Sequence, residues 1–371
     1  MDVRTKMKAW VLNDIGNIEL KDIKRPEIAN DEEAIVHVKA AGICGSDIPR
    51  IFDNGAHKMP LVLGHEFAGE LEDGTHVGIF PLIPCKKCRP CQMGKYEMCR
   101  NYNYLGSRCD GGFAEYVSVP KWNLIKLPNS VSFEQAAMLE PMAVSVHAIR
   151  RINPDSNDSV LVYGMGTIGL LITMFLIEKG IKNIFVVGNK DFQKKQAIEL
   201  GIKEENYCDS RESCVKEWIM EKTDGFGVSS VFECIGRMET ISEVIDMASP
   251  GGSVCLVGNP YSDVELPKNV YWKILRHQLN VTGTWNSSFA GTNENTISSA
   301  SDCEANVKAN NSSNIFAELD DWQYVIDKLA NGLIHPEKLI THKLDMDSLY
   351  SGFEIMHEKK ENYIKIMMIN R

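Results

Sequence analysis

The chain of 371 residues has no apolar run that could cross a bilayer; its longest, Leu170 to Ile177, falls far short of the ~20 residues a spanning helix needs. Its first residues, MDVRTKMKAWVLNDIG, carry charges but no apolar core for an export signal, which predicts a cytoplasmic protein. Positive charge is outnumbered by negative. With a formal net charge of -10, the chain is not expected to take nucleic acid or an anionic membrane as partner, since both are polyanions. Repeats at solenoid periods are missing, which excludes a stacked-repeat architecture. Cysteine, in contrast, is plentiful: 11 residues in a chain without an export signal read as reduced thiols and metal ligands, not as a disulfide framework. A composition of 44% hydrophobic and 24% charged residues is that of an ordinary globular chain, and the length suits about two domains.

From about residue 7 to 150, short strand signals (KAWVL, AIVHVKAAG, FAGEL, HVGIF, FAEYVSV) are separated by Gly, Pro and Asn, which predicts an irregular β-rich domain. The pattern then changes. Between Ser159 and Trp285, strand-like runs (SVLVYG, NIFVVG, ENYCD, SSVFECIG, SVCLVG, NVTGTW) alternate with helical segments, the signature of a doubly wound parallel sheet. The remainder returns to mixed structure and is expected to rejoin the first domain. The expected division is therefore residues 1–153 with 289–371, and 154–288 inserted between them. An Asn/Ser-rich stretch around 286–314 has almost no apolar periodicity and reads as a long exposed loop, either a plain insertion or a segment closing over a cleft.

Cys85, Cys88, Cys91 and Cys99 form C-x2-C-x2-C-x7-C, with Pro84, Pro90 and Gly94 as turn formers. Such a loop wraps four thiolates around one zinc ion, and a site closed by four protein ligands is structural. Cys109, Cys208, Cys214, Cys234, Cys255 and Cys303 show no partner pattern. Gly164-Met165-Gly166-Thr167-Ile168-Gly169 follows the strand SVLVY and opens a helix, the context in which G-x-G-x-x-G cradles a dinucleotide pyrophosphate at a helix N-terminus. The next strand ends Gly188-Asn189-Lys190, where an NAD enzyme places an acid for the ribose hydroxyls. Glycine there removes a charge that would repel a 2'-phosphate, and Asn189 and Lys190 add a donor and a cation. NADP(H) is favoured over NAD(H), with Asp191 as a register-shifted acid on the other side of the balance. Finally, Cys44 in GICGSD, His65 in GHE and Glu140 in LEP offer three ligands from separate segments, the makings of an open zinc site.

GICGSD, GHEFAGE, the four-cysteine lobe, GGFAEY, LEPMAVSVH and YGMGTIGLL, in that order along nearly the whole chain, resemble the zinc-dependent medium-chain alcohol/polyol dehydrogenases. The resemblance implies a β-rich GroES-like catalytic domain with a Rossmann cofactor domain, two zinc ions per subunit, and a homodimer or homotetramer. It assigns Cys44, His65 and Glu140 to the catalytic zinc, with Glu66 able to exchange onto it. Asp47 would orient His65, and Ser46 would take the proton of the bound alcohol. Pro49 stands where many alcohol dehydrogenases have a relay histidine, so the relay must end differently. Glu-Pro at the third-ligand position is typical of polyol enzymes. GICGSDIPRIFDNGAHKMPLVLGHEFAG with YLGSRCDGGFAEY is most similar to the galactitol-1-phosphate 5-dehydrogenase branch, which gives Arg50, His57, Lys58 and Arg108 an expected role around a substrate phosphate. Alternatives are an NADPH-dependent ribulose-5-phosphate reductase, a sorbitol-type dehydrogenase of free polyols, and a non-catalytic nucleotide-binding sensor. Retention of all three zinc ligands argues against the sensor.

Overall fold

The computed structural model describes residues 5–291 and 320–370, and most of the Asn/Ser-rich stretch lies outside them. The chain divides into two compact units, Met1–Glu140 with Ser288–Arg371, and Pro141–Ser287. The division falls inside the helix Leu139–Ile152, ahead of the position suggested by the change of sequence pattern at 153/154. Near the end of that helix, Arg151 donates to Gly283 O at 3.1 Å and Thr282 Oγ1 at 2.8 Å, which ties it to the last strand of the second unit.

In the first unit a seven-stranded sheet has Glu33–Gly42 near its centre, flanked by Glu66–Glu70 and by the C-terminal strand Lys365–Ile369. A three-stranded sheet, Asn17–Lys24, Lys6–Asp14 and Leu61–Val62, stands beside it. Buried residues of both, including Trp10, Val36 and Phe67, share one core with Phe113 and with Phe353 of the helix Leu349–Glu358. The two chain segments at the edge of the undescribed stretch are clamped together: Ala290 N–H donates to Asp320 Oδ2 at 2.8 Å, Ser288 N–H to Asp321 Oδ2, and Asp321 N–H to Ser288 O. Phe289 is buried among Phe80, Trp122 and Trp322.

The second unit carries the expected parallel sheet, in the order Tyr207–Asp209, Asn183–Gly188, Ser159–Tyr163, Val228–Glu233, Ala248–Leu256, Asn280–Gly283. Its inner strands are apolar on both faces because crossover helices cover both. Successive strands build away from Ser159–Tyr163 in one direction, then cross to its other side. Such a switch opens a crevice at the strands' C-terminal ends, where Gly164 stands. Among the described residues, no helix is long and apolar enough to cross a membrane.

Candidate metal centre and nucleotide site

Three backbone segments of the first unit cross where glycines let them touch. A Cβ on Gly106 or Gly111 would lie 2.2 Å from Gly64 O, and Gly64 itself has φ +94° with the Phe113 ring where a side chain would go. The crossing fixes His65, the residue that follows. Cys44 leaves the end of the strand Glu33–Gly42, and its N–H donates to Asp47 Oδ2 at 3.0 Å at the start of the helix Asp47–Phe52. A potential ligand atom from each of Cys44, His65 and Glu66 lies within 4.8 Å of the other two.

Asp47 is fully buried, with Oδ1 3.4 Å from His65 Nδ1 and 3.6 Å from Arg50 Nη1. Burial opposes charge on both members, yet their mutual attraction holds Asp47 below the ordinary carboxylate range and His65 well above the ordinary imidazole range. With Nδ1 turned to Asp47, Nε2 is the nitrogen left for a metal. Glu66 accepts a short hydrogen bond from Lys365, which is also buried and donates to Ile43 O at 3.0 Å. Glu140 lies in the same nest: Tyr104 Oη donates to its Oε1 at 3.2 Å, and burial, reinforced by the charge of Glu66, pushes it up to about 7. Tyr104, buried beside these carboxylates, is pushed well above its usual range.

The donor set fits zinc. A thiol, an imidazole and two carboxylates converge in a buried place, and Asp47 Oδ1 and His65 Nδ1 find no well-aligned hydrogen bond there. The structure gathers Glu66 with Cys44 and His65, and places Glu140 one step back against Tyr104. Lys365 and Tyr104 were missed by sequence reading. Lys365 meets Glu66 across 299 residues of sequence, and no local motif announces such a pair.

Ser46 Oγ is 3.3 Å from Cys44 Sγ and accepts from Arg50 Nη1 at 2.8 Å. Arg50 also donates to Ser46 O at 2.8 Å, so one guanidinium nitrogen expected at a substrate phosphate is committed to the serine. Burial, then the charges of Arg108 and Arg50, push His57 below its usual range, which brings these three basic residues into one field. Arg108 lies over the Tyr102 ring at 4.4 Å. Lys58 instead acts on the thiol of Cys109, which burial and Asp110 push up to about 11.

In the four-cysteine lobe the ligand atoms again lie within 4.8 Å of one another, with Cys88 Sγ 3.5 Å from Cys91 Sγ and 3.9 Å from Cys99 Sγ. A tetrahedral zinc with bonds of about 2.3 Å sets its sulfurs ~3.8 Å apart, so the loop is already shaped for the ion. N–H groups of Cys85 and Cys88 point at Cys99 Sγ and Cys85 Sγ. Hydrogen bonds from the backbone, that of Arg100 first, push Cys88 down to about 6 and favour its thiolate.

In the second unit Gly164 has φ +108°, and a Cβ on Gly169 would lie 1.8 Å from Gly164 O, so neither position tolerates a side chain. A Cβ on Gly166 would meet only open space at the N-terminus of the helix Thr167–Glu178, whose first turn holds Ile168. That is the cradle a pyrophosphate needs. At Gly188 a Cβ would lie 2.2 Å from Tyr207 Oη, so Tyr207 fills the place of the absent acid. Asn189 N–H donates to Gln193 Oε1 at 3.1 Å, and Lys190 begins the helix Asp191–Glu199. Asp191 pairs with Arg211, which is also held by Asp209. Arg211 and Tyr207 are further residues that sequence reading missed.

Two family descriptions match the sequence in order, "Alcohol dehydrogenase GroES-like domain" over residues 30–129 and "Zinc-binding dehydrogenase" over 167–302. Galactitol 1-phosphate 5-dehydrogenase of Escherichia coli (strain K12) is 33% identical over 294 residues, 75% of this chain and 83% of that protein. The crystal structure of galactitol-1-phosphate dehydrogenase from Escherichia coli has a TM-score of 0.84 at 29% identity, covering 98% of this chain and 100% of that one. Two similar structures hold different cofactors. A protein described as a zinc-binding dehydrogenase from Sinorhizobium meliloti 1021 is bound to NADP (25% identity, TM-score 0.84, 99% and 100% coverage). The alcohol dehydrogenase RspB of E. coli CFT073 is complexed with NADH (27% identity, TM-score 0.82, 99% and 100% coverage). At this identity over this much of both chains the likeness is one of descent, and the chain belongs to the zinc-dependent medium-chain alcohol and polyol dehydrogenases.

Proposed function

We propose that this oxidoreductase interconverts a secondary alcohol of a polyol phosphate with the corresponding ketose, in the manner of a galactitol-1-phosphate 5-dehydrogenase, using NADP(H) ahead of NAD(H). The observation that carries the reading is the buried nest of Cys44, His65, Glu66 and Glu140 in a chain that also sets Arg50, His57 and Arg108 in one field. The proposed assembly is a homodimer or homotetramer in the cytoplasm.

Zinc held by Cys44, His65 and the glutamates supplies Lewis acidity that lowers the pKa of an alcohol, and a nicotinamide supplies the hydride acceptor. Asp47 fixes the His65 ring through Nδ1 and balances its charge. Tyr104 holds Glu140 by its hydroxyl. Ser46 takes the substrate proton at Oγ as it releases its own hydroxyl proton to solvent, and the guanidinium of Arg50, which donates to that oxygen and accepts no proton, holds the hydroxyl in place. Arg50 thus orients Ser46 but does not replace the relay histidine that Pro49 displaces. Arg108 and His57 remain to meet a phosphate. Because Arg50 is already engaged by Ser46 and Asp47, a sorbitol-type activity on unphosphorylated polyols is the second reading.

Absorbance at 340 nm decides between them when galactitol 1-phosphate, ribitol 5-phosphate, sorbitol 6-phosphate and their free polyols are offered with NADP and NAD in parallel. Turnover confined to the phosphates and lost in Arg108→Ala supports the first reading. Turnover of free polyols alone overturns it. Glu140→Gln is expected to abolish turnover while leaving nucleotide binding intact, and unchanged activity would remove Glu140 from the site.

A further inference from the structure

Away from the metal centre, the first unit contains an open cavity of about 490 Å³. It lies where three sheets meet. Met7 and Ile23, partners across the ladder of the strands Lys6–Asp14 and Asn17–Lys24, line it together with Val62 of Leu61–Val62 and Ile83 of Leu82–Ile83. Tyr116 and Val117 come from Tyr116–Pro120, the strand paired with Glu33–Gly42. Met7, Val62 and Val117 belong to the buried core, with Ile23 and Ile83 packed against it, so the floor of the cavity is apolar. Its volume falls in the range of roughly 300–1,000 Å³ that small-molecule sites occupy.

Five charged residues line the same space, Lys24, Arg25, Glu27, Glu33 and Asp110, and four of them are engaged. Lys24 pairs with Glu27 at 2.8 Å. Glu33 accepts from Ser118 Oγ at 3.0 Å, and Asp110 Oδ1 accepts from Val62 N–H at 3.0 Å. Arg25 is the exception: among the described residues its guanidinium has no acceptor oxygen, and it lies over the Tyr116 ring, 4.0 Å from the centroid. Both supports of this cation are themselves fixed. His37 stacks on Tyr116 at 4.7 Å, and Arg25 N–H donates to Thr5 O at 3.0 Å. The ring holds the cation in place without offering it an oxygen, so its N–H donors are left for a planar anion.

We propose that this cavity is a second ligand site, which takes a monocarboxylate with an apolar body: the body covers Met7, Ile23, Val62 and Ile83, and the carboxylate accepts a pair of N–H bonds from Arg25. Burial of the apolar body supplies the affinity, and Arg25 supplies the direction. Glu33 and Asp110 line the same cavity and disfavour a second negative charge on the ligand, which sets a carboxylate apart from a phosphate ester. None of Cys44, His65, Glu66 and Glu140 lines the cavity, so the site is independent of the metal centre and of the reaction proposed for it.

The test is isothermal titration calorimetry of the full-length chain, without cofactor, against three probes that share one apolar body: 4-phenylbutyrate, its neutral amide 4-phenylbutyramide, and 4-phenylbutylamine. Wild type is expected to bind the carboxylate about tenfold or more tighter than the amide, and the amine most weakly. Arg25→Gln should bring the carboxylate down to the level of the amide while leaving the amide unchanged, a split that a merely structural role for Arg25 would not produce. Ile83→Trp, which fills the cavity, should abolish binding of both. An amine that binds more tightly than the carboxylate would make Glu33 and Asp110 the anchor and overturn the inference. Carboxylate binding undiminished in the two variants lies elsewhere on the protein and overturns it as well, as does a wild type that binds none of the probes. Where one variant does not fold, the other, read with the wild-type ranking of the three probes, still decides.

Discussion

Gly188 shows how a single position can be read in two ways. As a missing acid it argues for a phosphorylated ribose. As a packing position it exists because Tyr207 Oη occupies the space a Cβ would need, so placing aspartate there must first displace Tyr207. The more direct test of cofactor choice is Asp191→Ala. Its carboxylate now pairs with Arg211, and removing it leaves Arg211 with Asp209 alone, which is expected to raise the NADP-to-NAD ratio of kcat/KM. An unchanged ratio would mean that Arg211 does not face the adenosine phosphate. Gly169→Ala is the matching control. Its methyl would press on Gly164 O, a backbone atom that cannot yield cheaply, so a loss of about 1 to 3 kcal/mol in stability together with loss of dinucleotide binding is expected from chemical denaturation and cofactor titration.

Among the elements, three helices of the second unit meet at one carboxylate. Asp246 of Met238–Met247 binds Lys216 of Val215–Lys222 and, at 2.7 Å, Lys273 of Lys268–Arg276. Burial pushes the Asp246 carboxyl up, but the two ammonium groups prevail and hold it below its ordinary range. Its folded-state pKa is thus the lower one. The stabilisation is present above the ordinary carboxylate pKa and is lost as pH falls through the folded value. Asp246→Asn should cost roughly 1 kcal/mol at neutral pH, modest because Lys216 is half exposed, and should flatten the acid limb of a stability curve measured by urea unfolding. If the four-cysteine lobe holds zinc as proposed, Cys99→Ser is expected to release that ion and lower Tm. Trp122, packed against Tyr96 with Lys86 over its ring, should report the loss in its emission.

Elements built from neighbouring residues were readable in the sequence. The cysteine spacing and the strand, glycine turn and helix at Tyr163–Thr167 are local patterns whose chemistry follows from spacing. The six parallel strands likewise declared themselves as apolar runs separated by helical segments. What stayed hidden depends on pairing between distant strands. Glu66 and Lys365 are brought together by register, Gly42 is small because those two side chains crowd it, and Gly106 and Gly111 are small because another backbone passes beside them. Arg50, read as a basic residue for a substrate phosphate, also donates to Ser46, four positions back at the start of its own helix.

At the scale of the whole molecule, the first unit draws on both ends of the described chain. Lys365–Ile369 lies inside the seven-stranded sheet, between Glu33–Gly42 and Ile340–Leu344, so the unit cannot close its sheet without that strand. A chain stopped after Ile364 is expected to lose cooperative unfolding of the first unit and its second zinc ion while the parallel sheet of the second unit still forms, which circular dichroism and metal analysis would show. A truncated chain that retains both ions would contradict this.

The clamp formed by Ser288, Ala290, Asp320 and Asp321 has a consequence for how this protein can vary. Departure and return share a doorway, so whatever is inserted between them need not disturb the register of any strand or the position of any metal ligand. A change of length between Gly291 and Asp320 is therefore met first by the carboxylates of Asp320 and Asp321, which hold Ala290 and Ser288.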